Sequence, residues 1–146
     1  MKLLAMAVAM MAFTANPAWL TNFNQAKMEA AKENKFILVN FSGSDWCIPC
    51  IRMEKQVFET PAFTGYAGQN LVLVKADFPR LNKNKLSKEQ TALNESLANT
   101  YNPHGKFPYT LLLDKDGKVL KEWDGLPTTD PEVFVSELNT VVHANH

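Results

Sequence analysis

Cys47 and Cys50 are the residues with the most chemistry to offer, and they are the only two cysteines in the chain. Ser42-Gly43-Ser44-Asp45-Trp46 before them reads as a loop, and the residues after Cys50 read as a helix. At this spacing the two side chains share one side of the first helical turn, close enough to be bridged. The unpaired N–H groups and the dipole at a helix start favour negative charge. A thiol placed there is lowered from about 8.5 towards the range where thiolate exists at neutral pH. The thiolate is the species that attacks a disulfide. Cys47 is therefore the expected nucleophile. Cys50, one turn in and expected to be the more buried sulfur, would resolve a mixed disulfide by attacking Cys47. Pro49 has no N–H to lose in this turn and stiffens it. Trp46 reads as an exposed neighbour.

Three plainer roles compete for the same pair. As a staple it gains little: closing so short a loop is worth about 2 kcal/mol, against about 3 for a fifteen-residue loop. A closed zinc site takes four ligands, and beyond the two cysteines only the distant His104, His143 and His146 remain. No metal site is expected from that set. Two inert, reduced thiols are the third alternative, and the helix-start position counts against it. C-x-x-C between a strand and a helix is a stronger signal than C-x-x-C alone.

The elements that must position the pair can be read from patterning. Trp19, Phe23, Ala26 and Ala30 recur at helical spacing, with Thr21 or Asn22 as cap and Asn34 as stop. Phe36 to Phe41 reads as a buried strand. The helix that follows the cysteines is expected to run to about Glu59, with Thr60-Pro61 closing it. Leu71 to Phe78 reads as a second buried strand, and Arg80 to Leu86 as a polar loop. Ser87-Lys88-Glu89-Gln90 has the form of a capping box, opening a helix with Leu93, Leu97 and Tyr101 on one face. Tyr109 to Leu113, Asp116-Gly117 and Val119 to Trp123 read as a hairpin. Asp130-Pro131 opens a last helix with Val133, Phe134, Leu138, Val141 and Val142 as its apolar stripe. The predicted order is helix, strand, helix, strand, helix, strand, strand, helix. That order is α/β, with a mixed sheet and helices on both faces.

Composition bounds the function. At 146 residues the chain is of one-domain length, and no linker or internal repeat divides it. Lys plus Arg and Asp plus Glu are 15 each, which argues against a nucleic-acid binder that relies on a strongly basic surface. The hydrophobic fraction, 46%, is that of ordinary globular chains. Lys2 followed by the apolar run Leu3 to Phe13, then Thr14-Ala15-Asn16-Pro17-Ala18, has the form of a secretory signal peptide. The run is too short to span a bilayer as a helix, which takes about 20 residues. The expectation is a leader over 1–18, a domain over 19–146, and a periplasmic or secreted product that is not inserted in a membrane once cleaved.

At these residues the chain resembles the thioredoxin superfamily. Phe36 to Phe41 followed by Trp46-Cys47-Ile48-Pro49-Cys50 is similar to the family's first core strand and redox motif. Leu71 to Asp77 is similar to its next strand. Phe107-Pro108-Tyr109-Thr110 is similar to its cis-proline loop, and Leu111 to Gly125 to its closing hairpin and following glycine. The stretch Phe41 to Cys47 is especially similar to exported bacterial thioredoxin-like proteins. The resemblance implies a thioredoxin-like fold and a cis Pro108 facing Cys47. It also implies that Trp46, Phe107 and Pro108 contact an extended substrate segment beside the disulfide. One departure stands out. Thioredoxin carries a buried aspartate in the strand before the motif, which moves protons to and from the second cysteine. Asn40 stands there in this sequence and cannot accept a proton. Asp45 reads as exposed. Lys75, where the family often has a strand lysine, reads as a core-edge residue with a packed stem.

The resemblance implies a thiol–disulfide oxidoreductase needing no cofactor. Its expected partners are protein thiols and disulfides and a redox partner, and it is expected to be a monomer. Ile48-Pro49, without a histidine between the cysteines, favours a reductase or isomerase over a strong oxidant. A non-catalytic binding module and a metallochaperone using the cysteine pair are the alternatives.

Overall fold

The computed structural model describes residues 16–146. The expected leader over 1–18 thus lies outside the described residues except for its last three. Twelve elements follow in order: β1 Trp19–Leu20, α1 Phe23–Glu33, β2 Phe36–Ser42, α2 Ile48–Met53, a π-helical segment Glu54–Phe58, α3 Pro61–Asn70, β3 Leu71–Asp77, a 3-10 turn Asn82–Asn84, α4 Lys88–Tyr101, β4 Tyr109–Leu113, β5 Val119–Asp124 and α5 Pro131–Ala144. The strands form one sheet in the order β1-β3-β2-β4-β5. β1, β3 and β2 are parallel, while β4 runs antiparallel to β2 and β5 antiparallel to β4.

Every residue of β2 is buried, because helices cover both faces of this central strand. On one face Leu38, Leu73 and Leu112 pack with Met53, Phe63 and Phe134 from the α2, α3 and α5 side. On the other, Ile37, Val39 and Phe41 pack with Ala26 and Ala30 of α1 and Leu97 of α4. The mixed sheet and the two helical layers are as the resemblance implies. No helix among the described residues is long and apolar enough to cross a membrane.

Four local expectations need correction. Trp19 is not on the first helix. It forms a two-residue strand with Leu20, paired with Leu73 and Val74. Its ring packs on Phe58 and Phe63, on the opposite side of the sheet from α1. Alternation at a strand edge mimicked one step of helical spacing. Second, Thr60-Pro61 ends one helical stretch and also begins α3. The Thr60 hydroxyl accepts from the Phe63 N–H, and Pro61 occupies the first turn. Gly65 and Gly68 lower the helix propensity of this segment, and only Phe63 and Ala67 are buried in it, so patterning alone hid it.

Third, Leu93 is 43% exposed, and the inward position on α4 is taken by Asn94, whose amide donates to the Asp77 carbonyl. Fourth, Val133 is exposed on α5, where Phe134, Leu138 and Val142 carry the buried stripe. The expected caps Asn22, Ser87 and Asp130 all accept from their helices' first N–H groups.

Candidate active site

β2 delivers the chain to Ser42, at the end of the sheet where it leaves for the redox motif. The Cys47 N–H donates to the Gly43 carbonyl at 2.9 Å, and that of Trp46 donates to the same oxygen at 3.2 Å. These bonds fold the loop tightly over its own start. A Cβ on Gly43 would lie 2.3 Å from the Trp46 ring, so only glycine lets the indole lie against the backbone here. Cys47 is the N-cap of α2 and has extended backbone angles, with Pro49 in the first turn. Its sulfur accepts from the Cys50 N–H at 3.3 Å, using one of the free donors of the helix start.

Cys47 and Cys50 are joined as a disulfide, with Cα atoms 5.2 Å apart. The Cys50 sulfur accepts from the Gly43 N–H at 3.5 Å. The expected contrast in burial is absent in this oxidised form, in which Cys47 is 5% and Cys50 4% exposed. The bond holds both sulfurs at the same depth, while Ile48, 66% exposed, forms the outer lip.

The Phe107–Pro108 peptide bond is cis. Pro108 is buried and Phe107 half-buried. The Phe107 ring meets the Trp46 ring edge-on at 5.5 Å, which brings this loop against the residue preceding Cys47. Asn102 anchors the loop from below: its amide donates to the Lys106 carbonyl and its oxygen accepts from the Lys106 N–H. The Pro108 carbonyl accepts from Gly125 N–H, so it is already engaged. The Trp46 and Phe107 rings are thus brought together, with Pro108 next along the chain. Phe78 joins them, its ring 5.5 Å from that of Phe107, and its carbonyl accepts from the Trp46 indole N–H at 2.7 Å.

Asn40 is buried, with its amide donating to the Thr110 hydroxyl on the neighbouring strand at 3.0 Å. It therefore bridges β2 and β4. Glu54, one turn beyond Cys50, pairs with Lys75 of β3. The two line a cavity of about 340 Å³ that is also lined by Ser42, Cys50 and Ile51. Lys75 has more than a packed stem: its ammonium lies 4.2 Å from the Trp19 ring centre and 5.1 Å from that of Phe58. Glu54 was missed in the sequence because it looks like a surface residue of an amphipathic helix. Its i, i+4 relation to Cys50 was the available signal.

Asp45 faces the loop after β3. Its carboxylate accepts from the Arg80 and Leu81 N–H groups and from the Asn84 amide. The Arg80 N–H, then the Asn84 amide, hold its carboxyl below the usual carboxylate range. The ionised form is the one that fastens the loop. The tether is therefore complete above the ordinary value of 3.8 and is released as pH falls through the lowered folded value. Asp45→Ala is expected to speed hydrogen exchange at the Arg80 and Leu81 amides at neutral pH. Unchanged exchange at both amides would refute the tether. Among the described residues no group of three or more His, Cys, Asp or Glu side chains is gathered to hold a metal. His104, His143 and His146 are all exposed.

The chain is similar to known proteins. A family model described as thioredoxin-like matches residues 18–114. A disulfide bond reductase, DsbH, of Chlamydia pneumoniae is 36% identical over 106 residues, covering 73% of this chain and 61% of the relative. The chain thus spans about six-tenths of that relative's length. The solved structure of a DsbH oxidoreductase superposes with a TM-score of 0.78 at 30% identity, over 88% of this chain and 86% of that one. A thioredoxin from Thermus thermophilus superposes with a TM-score of 0.61 at 19% identity, over 87% and 88%, and shares the fold.

Proposed function

The chain belongs to the thioredoxin-like family, and we propose that it is a thiol–disulfide oxidoreductase that reduces protein disulfides outside the cytosol. The observation that carries this reading is the Cys47–Cys50 disulfide at a helix start, with the cis Phe107–Pro108 loop packed against Trp46 beside it. In the reduced protein the Cys47 thiolate attacks a substrate disulfide. One substrate sulfur bonds to Cys47, and the other leaves as a thiolate and takes up a proton. Cys50 then loses its proton and attacks the Cys47 sulfur. The second substrate thiolate leaves, and the Cys47–Cys50 disulfide remains. Two electrons pass from protein to substrate, and a dithiol partner must return them.

The proton on Cys50 needs an acceptor. Glu54 and Glu59 both line the cavity that Cys50 lines, and Glu54, one turn beyond Cys50 and paired with Lys75, is the proposed acceptor. Trp46, Phe107 and Pro108 are the proposed contacts for the substrate segment. The similarity to a Chlamydia disulfide bond reductase supports the same direction of electron flow as Ile48-Pro49. The leader-like residues 1–18 support export, and N-terminal sequencing of exported protein should begin near Trp19. Met1 at the N-terminus would refute cleavage.

Equilibration with graded thiol–disulfide buffers, reading the Cys47–Cys50 state by mass after alkylation, tests the function. Reversible oxidation near the potential of thioredoxin, about −270 mV, is expected. A value near about −120 mV would reverse the direction. A pair that never cycles would favour the binding module.

A further inference from the structure

Residues 78–88, Phe-Pro-Arg-Leu-Asn-Lys-Asn-Lys-Leu-Ser-Lys, carry four cations and no acid, in a chain whose total charge is zero. Arg80, Lys83, Lys85 and Lys88 are all exposed. None of the four is within ion-pair distance of a carboxylate among the described residues, Glu89 and Glu95 of the adjacent helix included. Asp45 and Asp77 hold the shape of the loop through neutral donors and keep their charge, which the four cations outnumber. Asp45 binds the Arg80 and Leu81 N–H groups and the Asn84 amide, and Asp77 accepts from the Phe78 N–H and from Ser44.

The segment is also fastened to the redox motif. The Arg80 guanidinium lies 3.6 Å from the Trp46 ring centre, and Trp46 precedes Cys47. Lys85 lines a surface cavity with Phe78, the same Phe78 whose ring meets Phe107, and with Asp77 and Glu95, neither of which is within ion-pair distance of it. A partner that presents a sulfur to Cys47 across Trp46 and Phe107 therefore comes up beside unpaired positive charge held in a set conformation.

We propose that the 78–88 segment is a cationic rim that selects partner polypeptides carrying acidic residues next to the cysteine to be reduced. The proposal rests on the oxidoreductase reading above. The rim adds a long-range attraction that speeds encounter and is screened by salt.

The test uses three disulfide-linked peptides, identical except that the residues flanking one cysteine are Asp/Glu, Ser or Lys. Each is mixed with the pre-reduced protein, and single-turnover rates are followed at low and high ionic strength. The acidic peptide is expected to react about tenfold faster than the neutral one at low salt, with the advantage lost at high salt. In the pair Lys83→Gln with Lys85→Gln the acidic-to-neutral ratio should fall towards one. In Lys83→Glu with Lys85→Glu the preference should turn to the lysine-flanked peptide, a result that a folding defect cannot produce. Equal rates for all three peptides at low salt would overturn the rim. Failure to reduce any of them, the neutral one included, would overturn the activity on which it rests.

Discussion

Replacing Cys47 with serine is expected to remove disulfide reduction by at least roughly 10³-fold, because the variant cannot form the mixed disulfide through which exchange proceeds. A serine hydroxyl stays protonated at neutral pH and makes no bond that a thiol could later resolve. Cys50→Ser should behave differently. Cys47 remains to attack, but nothing releases the product, so the substrate stays attached and the protein gains its mass. The two variants thus separate attack from resolution. Neither should unfold the protein, since the lost cross-link closes a very small loop worth about 2 kcal/mol. Near-native circular dichroism would establish that. Turnover by Cys47→Ser at a rate within tenfold of the parent would sink the proposed mechanism.

The second large effect is expected at Glu54. Glu54→Gln keeps the size of the side chain and can still accept a hydrogen bond from Lys75, but it cannot take a proton. Loss of a positioned base typically costs about 10²-fold, and here the cost should fall on resolution and not on the first attack. The pH profile distinguishes this from a packing defect. Above about 8.5, where a thiol ionises unaided, the variant should recover towards the parent rate. A merely structural role for the Glu54–Lys75 pair would leave a deficit that does not change with pH. Stopped-flow decay of a preformed mixed disulfide measures the step directly. A decay rate equal to the parent's at neutral pH would assign the proton to another group.

In the mechanism we propose, Glu54 stands in for the acid that Asn40 does not supply. In the thioredoxin pattern the carboxyl reaches the second cysteine from the strand. Here β2 offers an amide that is occupied by Thr110. The helix offers the carboxylate, four residues beyond Cys50, and β3 offers the lysine that holds it. The ion pair lines the cavity that Cys50 also lines, where the Glu54 and Lys75 side chains are 35% and 18% exposed.

Local patterning carried much of this protein. Two cysteines at a strand-to-helix junction, a proline in the first turn and caps at Asn22, Ser87 and Asp130 are statements about neighbours along the chain. Local physics governs them: free N–H groups, capping oxygens and the 3.6-residue repeat. The mixed sheet also followed, because the order of elements restricts how strands can pair. Other features depended on residues far apart in sequence. Trp19 became a strand because β3 was there to pair with it. Glu54 lines the Cys50 cavity in direct contact with Lys75, twenty-one residues on. Asp45 became a tether because the 80–84 turn folds back over it. No window of the sequence contains both partners of any of these contacts, so only the packed chain could settle which side of each helix and loop meets the disulfide.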